Sequence, residues 1–231
     1  MKYIGKELDV FEIATNWKGY FGNMFRDYIG GHVAEVGAGS GGTTQFLINA
    51  KVSKWVCLEP DKSLSEGILG KLRDLGVEGN VVVLNSKLDC LPDEERYDTI
   101  VYIDVIEHIE DDIGELLIAK NRLKVGGSLI ILAPAYNYLF TEFDKAIGHY
   151  RRYNMRMLKS IVPKEMKLEF VRYLDSVGFF ASLANKLLLK SSNPTIKQVK
   201  FWDNVLIRIS IVMDRVLCYR FGKTIIGVWR K

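Results

Sequence analysis

Residues 32–44, HVAEVGAGSGGTT, decide how this chain reads. Residues 33–36 form a short apolar strand that runs into a turn holding Gly37, Gly39, Gly41 and Gly42, and residues 43–50 then take up helical spacing. Glycines at alternate positions tolerate positive φ and leave no side chains in the way, so a ligand can lie against the main chain. Free N–H groups at the following helix start favour a polar or anionic ligand. The spacing alone leaves two ligands open: Gly37, Gly39 and Gly42 also satisfy G-x-G-x-x-G, with Glu59 about 20 residues later, as a dinucleotide site requires.

Glu35 separates the two. A carboxylate two residues before the first glycine repels a pyrophosphate but suits a ligand carrying an ammonium and a sulfonium. Working outward, residues 54–58 (KWVCL) form a second strand ending at Glu59, an acid placed to bond a ribose diol, and Asp61 caps a helix over 63–75. Strands follow at 80–84 and 97–103, the latter running into Asp104-Val105-Ile106-Glu107-His108. A helix over 116–123 and the turn Lys124-Val125-Gly126-Gly127 lead to a fifth strand at 128–133, with further strands at 167–174 and 224–229. Alternating strands and helices imply a parallel sheet covered on both faces.

The glycine tract with Glu35 resembles the E-x-G-x-G-x-G motif of class I S-adenosylmethionine-dependent methyltransferases, and Glu59, the Asp104–His108 motif and Gly126-Gly127 match that family in the same order. The chain is similar to its small-molecule branch, of ubiquinone/menaquinone-methyltransferase type. The resemblance implies an α/β, Rossmann-like, doubly wound sheet of seven strands, mostly parallel with an antiparallel last strand, plus a C-terminal helical insertion. One domain would span 1–231: an N-terminal helical segment (1–30), a cofactor-binding core (31–175), a helical cap (176–223) and the last strand (224–231). S-adenosylmethionine would lie on Glu35, Gly37, Gly39, Gly41, Glu59 and Asp104. The family's acid after the third strand is missing, and Ser86 stands in its place. His108 and His149 are the base candidates, each with a structural alternative. Tyr136, Arg151, Arg152 and Tyr153, from a D-x-x-x-G-H-x-R-R-Y stretch, would bind the acceptor, unless the arginines only order a salt-bridged loop. No metal is required in this reading.

The implied activity is methyl transfer to an oxygen or nitrogen of a small-molecule, sugar or lipid-linked acceptor. An NAD(P)-dependent oxidoreductase using the same turn and a non-catalytic S-adenosylmethionine-binding protein are the rivals. Composition is that of a globular protein, 48% hydrophobic and 26% charged, and Cys57, Cys90 and Cys218 form no C-x-x-C pair. Together with an N-terminus lacking a signal-type apolar segment, this points to the cytoplasm. From residue 134 onward there are 18 Lys and Arg against 7 Asp and Glu, so the C-terminal part is basic. Such charge suits an acidic partner, and no nucleic-acid motif is present. Residues 9–29 carry aromatics at helical spacing, including Trp17 and Tyr20 as pocket candidates. Residues 177–189 and 201–219 are apolar at helical spacing, joined by a Ser-Asn-Pro linker at 191–195, and neither holds 18 uncharged apolar residues. They read as a lid, a dimer surface, or a patch lying peripherally on a membrane.

Overall fold

The computed structural model describes residues 7–77, 80–184 and 195–231. One sheet takes in β1 (Gly31–Val36), β2 (Val52–Leu58), β3 (Val81–Leu84), β4 (Tyr97–Ile103), β5 (Leu123–Pro134), β6 (Lys167–Leu174) and β7 (Thr224–Arg230). Their order in space is β3-β2-β1-β4-β5-β7-β6. The pairs from β3 to β5 are parallel, and β7 lies antiparallel between β5 and β6. This is the doubly wound, mostly parallel sheet that the sequence implies.

The strands read as unbroken apolar runs because both faces are covered. Side chains alternate: Ala34, Val36, Val56 and Leu58 point into one core, while Val33, Trp55 and Cys57 point into the other. Helices α5 (Asp112–Arg122) and α7 (Met155–Ile161) close the first layer through Leu116, Ala119, Leu158 and Ile161. Helices α2 (Thr15–Phe25) and α4 (Lys62–Asp74) close the second through Trp17, Phe21, Phe25, Ile68 and Leu72. Asp61 caps α4 as expected, its carboxylate accepting the N–H of Leu64 at 3.1 Å.

Several boundaries differ from expectation. The helical segment at 9–29 is two helices, α1 (Glu7–Phe11) and α2, and the helix after the glycine turn is a single turn, α3 (Thr44–Leu47). The tract 124–127 belongs to β5, where Gly127 passes so close to the carbonyls of Lys124 and Asp98 that a Cβ would sit 2.9 and 3.1 Å from them. Helix α8 (Ser176–Ala184) is described, whereas residues 185–189 of the expected helix and 191–194 of the linker lie outside the described residues.

The last helical stretch runs as α9 (Ile196–Phe201), a wide π turn (Trp202–Leu206) and α10 (Ile207–Val216). Both Trp202 and Asp203, in the π turn, are buried. Asp203 accepts the N–H groups of Asn16 and Trp17 at 3.1 and 2.8 Å, capping α2 from the far end of the chain. Asp214 accepts from the Tyr20 hydroxyl and from the N–H groups of Asp175 and Ser176. Asp175 accepts from Trp202 Nε1 and Ser210 Oγ, both at 2.7 Å. Three buried acids are thus hydrogen-bonded, as burial of a carboxylate demands. Trp17 and Tyr20, candidates for a pocket, are structural instead: each is 7% exposed and packs or bonds to the C-terminal helices.

Candidate functional site

After β3 the chain crosses back to the other side of β1, so the tips of β1 and β4 form the topological switch point where open α/β sheets bind ligands. The loops after β1, β2, β4 and β5 meet at this edge. Three of the non-glycine residues with positive φ sit here: Asp104 (53°) directly after β4, Tyr136 (63°) just beyond β5, and Asp175 (62°) directly after β6. Such backbone strain collects at functional edges.

The glycine turn is pinned to β2, whose Leu58 carbonyl accepts the N–H groups of Gly37 and Ala38 at 2.8 and 3.1 Å. Gly37 has φ 67°, and a Cβ on it would meet Val105 Cγ2 at 2.7 Å, so glycine is required on both counts. Gly39 and Gly41 also take positive φ, 56° and 75°. Glu59 holds the turn from the neighbouring strand tip: Oε2 accepts the Gly39 N–H and Oε1 the Asp61 N–H, each at 2.8 Å. Burial raises its pKa, and these two bonds oppose the shift. Each oxygen retains a lone pair for a further donor.

Glu35 lies beneath the turn rather than at its open face. It is 2% exposed, and its Oε2 accepts from Thr44 Oγ1 at 2.6 Å and Trp55 Nε1 at 2.9 Å, with Cys57 Sγ at 3.8 Å. Burial pushes the carboxyl up to about 7 against those hydrogen bonds. Ser86 stands at the β3 tip with its hydroxyl donated to the Lys87 carbonyl, while Asn85 Nδ2 donates to the Glu59 carbonyl.

Beyond β4 the chemistry is denser. Water reaches Asp104, yet enough protein surrounds its carboxyl to push it up to about 6, with His149, Lys223 and Arg152 pulling the other way. Glu107 is fully buried and neither of its oxygens has a hydrogen-bond partner among the described residues. Burial and the Asp104 charge hold its pKa well above the carboxylate range. His149 Nε2 lies 3.8 Å from Glu107 Oε1, and His149 Nδ1 lies 3.0 Å from Asp144 Oδ1. The rings of His108 and His149 meet edge to face at 4.5 Å. Burial, then the neighbouring His149, lowers His108 to about 4, so it is neutral at physiological pH.

Asp144, in the short helix α6 (Glu142–Ala146), orders the loop that carries His149. It receives Arg152 Nε and Nη2 in a bidentate pair at 2.8 and 2.9 Å, together with the N–H and hydroxyl of Thr141. Burial raises the Asp144 pKa, but His149 and Arg152 outweigh it and hold the carboxylate ionised. Arg151 is paired with Asp112 Oδ2 and the Glu110 carbonyl, both at 2.7 Å. Both guanidinium groups are therefore engaged within the protein. Tyr153, expected to bind an acceptor, needs correcting: it is fully buried, bridged to Ala135 by backbone pairing, with its hydroxyl on Asp112 Oδ2 at 2.8 Å. A side chain with no exposed surface offers nothing to an acceptor.

Tyr136 is half-buried in an aromatic wall, stacked on Tyr138 at 5.0 Å and on Tyr173 at 4.9 Å, with Phe179 edge-on at 5.7 Å. Phe180 and Phe221 extend it. The sequence reading assigned no role to Glu107, Asp144, Tyr173 or Phe179. The first two stand inside the very motifs it quoted.

No protein-family model matches the chain, and no curated protein matches it by sequence. Solved structures do. A coclaurine N-methyltransferase bound to N-methylheliamine and SAH superposes with TM-score 0.65 at 13% identity, covering 100% of this chain and 83% of that one. The cyclopropane synthase MmaA2 from Mycobacterium tuberculosis gives 0.57 at 15% identity, over 95% and 84% of the two chains. The [4+2]-cyclase SpnF gives 0.61 at 12% identity, over 94% and 81%. At such identities the likeness establishes the Rossmann-like methyltransferase fold, and that fold also carries a cyclase.

Proposed function

We propose that this protein is a class I S-adenosylmethionine-dependent methyltransferase acting on an oxygen or nitrogen of a small, largely apolar or lipid-linked acceptor. The observation that carries this reading is Glu59 at the β2 tip, holding the Gly39 N–H with lone pairs to spare for a ribose diol. Gly37, Gly39 and Gly41 shape the backbone cradle, Glu35 braces it from below through Thr44 and Trp55, and Asp104 faces the methionine end. Ser86 and the Asn85–Glu59 bond shape the adenine side.

When bound, the sulfonium supplies an electrophilic methyl group, which passes in line to the acceptor and leaves S-adenosylhomocysteine. The chain's own residues then have to place the acceptor at attack distance and take up its proton. The aromatic wall around Tyr136 supplies an apolar surface for the acceptor. His149, oriented by Asp144, and His108, whose ring it meets edge to face, are the candidates to receive a proton. Arg151 and Arg152 act by fixing the 141–153 loop rather than by clamping a ligand.

A lipid-linked acceptor fits the outer face of α9 and α10. Phe201, Val205, Ile209, Val212 and Val216 are exposed in one helical stripe, flanked by exposed Lys197, Lys200, Arg208 and Arg215. The only acids in Ile196–Val216 are Asp203 and Asp214, and both point inward. A basic and apolar face of this kind suits an anionic membrane surface. No described helix is long and apolar enough to cross one.

One observation favours the nicotinamide rival. The ammonium groups of Lys18 and Lys71 stand 3.2 and 3.5 Å from where a Gly42 side chain would begin, which would suit a phosphate, although Glu12 already pairs with Lys71 at 2.8 Å. Calorimetric titration with S-adenosylmethionine, S-adenosylhomocysteine and NADH decides between them. Micromolar binding of the first two alone supports the proposal, and binding of NADH alone overturns it.

A further inference from the structure

Outside the cofactor cradle, the cluster least explained by folding is Glu107, His108 and His149. One ligand atom from each lies within 4.8 Å of the other two. Glu107 is fully buried and neither of its oxygens has a hydrogen-bond partner among the described residues, an expensive arrangement for a carboxyl. The 3.8 Å gap from its Oε1 to His149 Nε2 is too long for a shared proton.

One ring nitrogen of His149 is already committed: Nδ1 is held by Asp144, itself fixed by Arg152, which leaves Nε2 toward Glu107. This is the anchoring that metal-bound histidines show, a carboxylate on one nitrogen while the other faces the ion. His108 Nδ1 lies beside Gly148, 3.8 Å from where a Cβ on that glycine would sit. Beside the cluster, Asp104 is open to water and marks the route of entry.

From this geometry we infer that Glu107, His108 and His149 form a site for a divalent first-row transition cation, with its open coordination positions toward the acceptor. Three atoms no more than 4.8 Å apart share a centre about 2.8 Å from each, so a tightening of under about 1 Å reaches the roughly 2.1 Å bonds of zinc-type ions. Two imidazoles and one carboxylate without a thiolate suit Zn²⁺, Mn²⁺, Fe²⁺ or Co²⁺. The inference rests on the methyltransferase reading only for the purpose of the ion. An acceptor hydroxyl bound there loses its proton to water more readily. Its oxygen lone pair forms the new C–O bond while the S–C bond breaks and its electron pair stays on sulfur. His108 and His149 then serve as ligands instead of bases.

The test titrates chelator-treated full-length protein with Co²⁺, following the visible absorption of the bound ion, and with Zn²⁺ by calorimetry, both without S-adenosylmethionine. One equivalent should bind, and Glu107→Gln and His149→Ala should each weaken it by roughly 100-fold, while Asp144→Asn should weaken it by roughly 10-fold or more through loss of the ring anchor. Absence of a Co²⁺ band and of Zn²⁺ heat, or binding indifferent to Glu107→Gln and His149→Ala, overturns the proposal. Should these variants fail to fold, zinc-edge X-ray absorption on the unmutated protein answers in their place. Two imidazoles with light oxygen ligands support the site, and any sulfur in the shell refutes it. Because S-adenosylmethionine binding is measured separately, failure of the metal site leaves the cofactor reading standing.

Discussion

Asp203 Oδ1 accepts the backbone N–H of Trp17 at 2.8 Å, joining residues 186 positions apart, and its Oδ2 takes the neighbouring N–H of Asn16. No local side chain caps α2, so the first turn of that helix depends on an acid from the last helical stretch. Asp203→Ala should destabilise the protein by about 2–3 kcal/mol, combining a lost cap with a stranded buried N–H. Asp203→Asn, whose amide oxygen still accepts, should recover more than half of that. Urea unfolding with an unchanged m-value checks both, and an Asp203→Ala midpoint equal to the parent's would show that the cap contributes nothing.

Glu35 ties stability to pH. Its carboxyl is raised from the ordinary 4.5 to about 7 by burial. The folded state therefore holds a proton that the unfolded state has released, and the Glu35 contribution is fully present below about pH 4.5 and lost as pH rises through about 7. The loss should be on the order of 3 kcal/mol across that window. Glu35→Gln keeps an acceptor for Thr44 and Trp55 but cannot ionise. Its unfolding free energy should stay flatter than the parent's between pH 5 and 8, and a parallel decline in both proteins would rule Glu35 out as the cause.

These two acids also mark how far the sequence could be read. The strands were legible because a sheet covered on both faces writes continuous apolar runs, and Asp61 because an N-cap is a local pattern. Glu35 was legible as an acid beside the glycine turn, yet its burial under Thr44, Trp55 and Cys57 needed the neighbouring elements. Asp203 and Tyr153 were not legible at all. Their places are set by pairings across the fold, to α2 in one case and to Ala135 in the other, which leave no spacing in the chain.

Glu59 should separate cofactor binding from folding. Its carboxylate accepts two backbone N–H groups and, in the proposed function, a ribose diol as well. Glu59→Ala should weaken S-adenosylhomocysteine binding by roughly 30-fold or more, about 2 kcal/mol. Glu59→Gln, which keeps one acceptor oxygen, should fall between. Calorimetry on variants whose circular dichroism matches the parent reads this directly. Equal affinity in all three proteins would remove Glu59 from the cofactor site.

The aromatic wall should govern the acceptor. Tyr136 stacks between Tyr138 and Tyr173, so Tyr136→Ala removes the middle ring of three. With an acceptor in hand, KM for it should rise by roughly 10-fold, in line with the 1–2 kcal/mol carried by aromatic contacts, while KM for S-adenosylmethionine stays constant. A change confined to the cofactor's KM would place the wall on the wrong ligand.

The outer face of α9 and α10 makes the last prediction. Lys197, Lys200, Arg208 and Arg215 surround the apolar stripe from Phe201 to Val216, and no acid is exposed along the helix to oppose them. The protein should sediment with vesicles containing phosphatidylglycerol and remain in solution with purely phosphatidylcholine vesicles. Each cation near the surface contributes about 1 kcal/mol, a contribution that 0.5 M salt largely screens. Val212→Glu combined with Val216→Glu inserts charge into the stripe and should abolish sedimentation without moving the thermal midpoint, since both side chains are exposed. A protein that ignores both vesicle types but runs as a dimer, and becomes monomeric in the same double variant, would assign the face to a second copy of the chain instead.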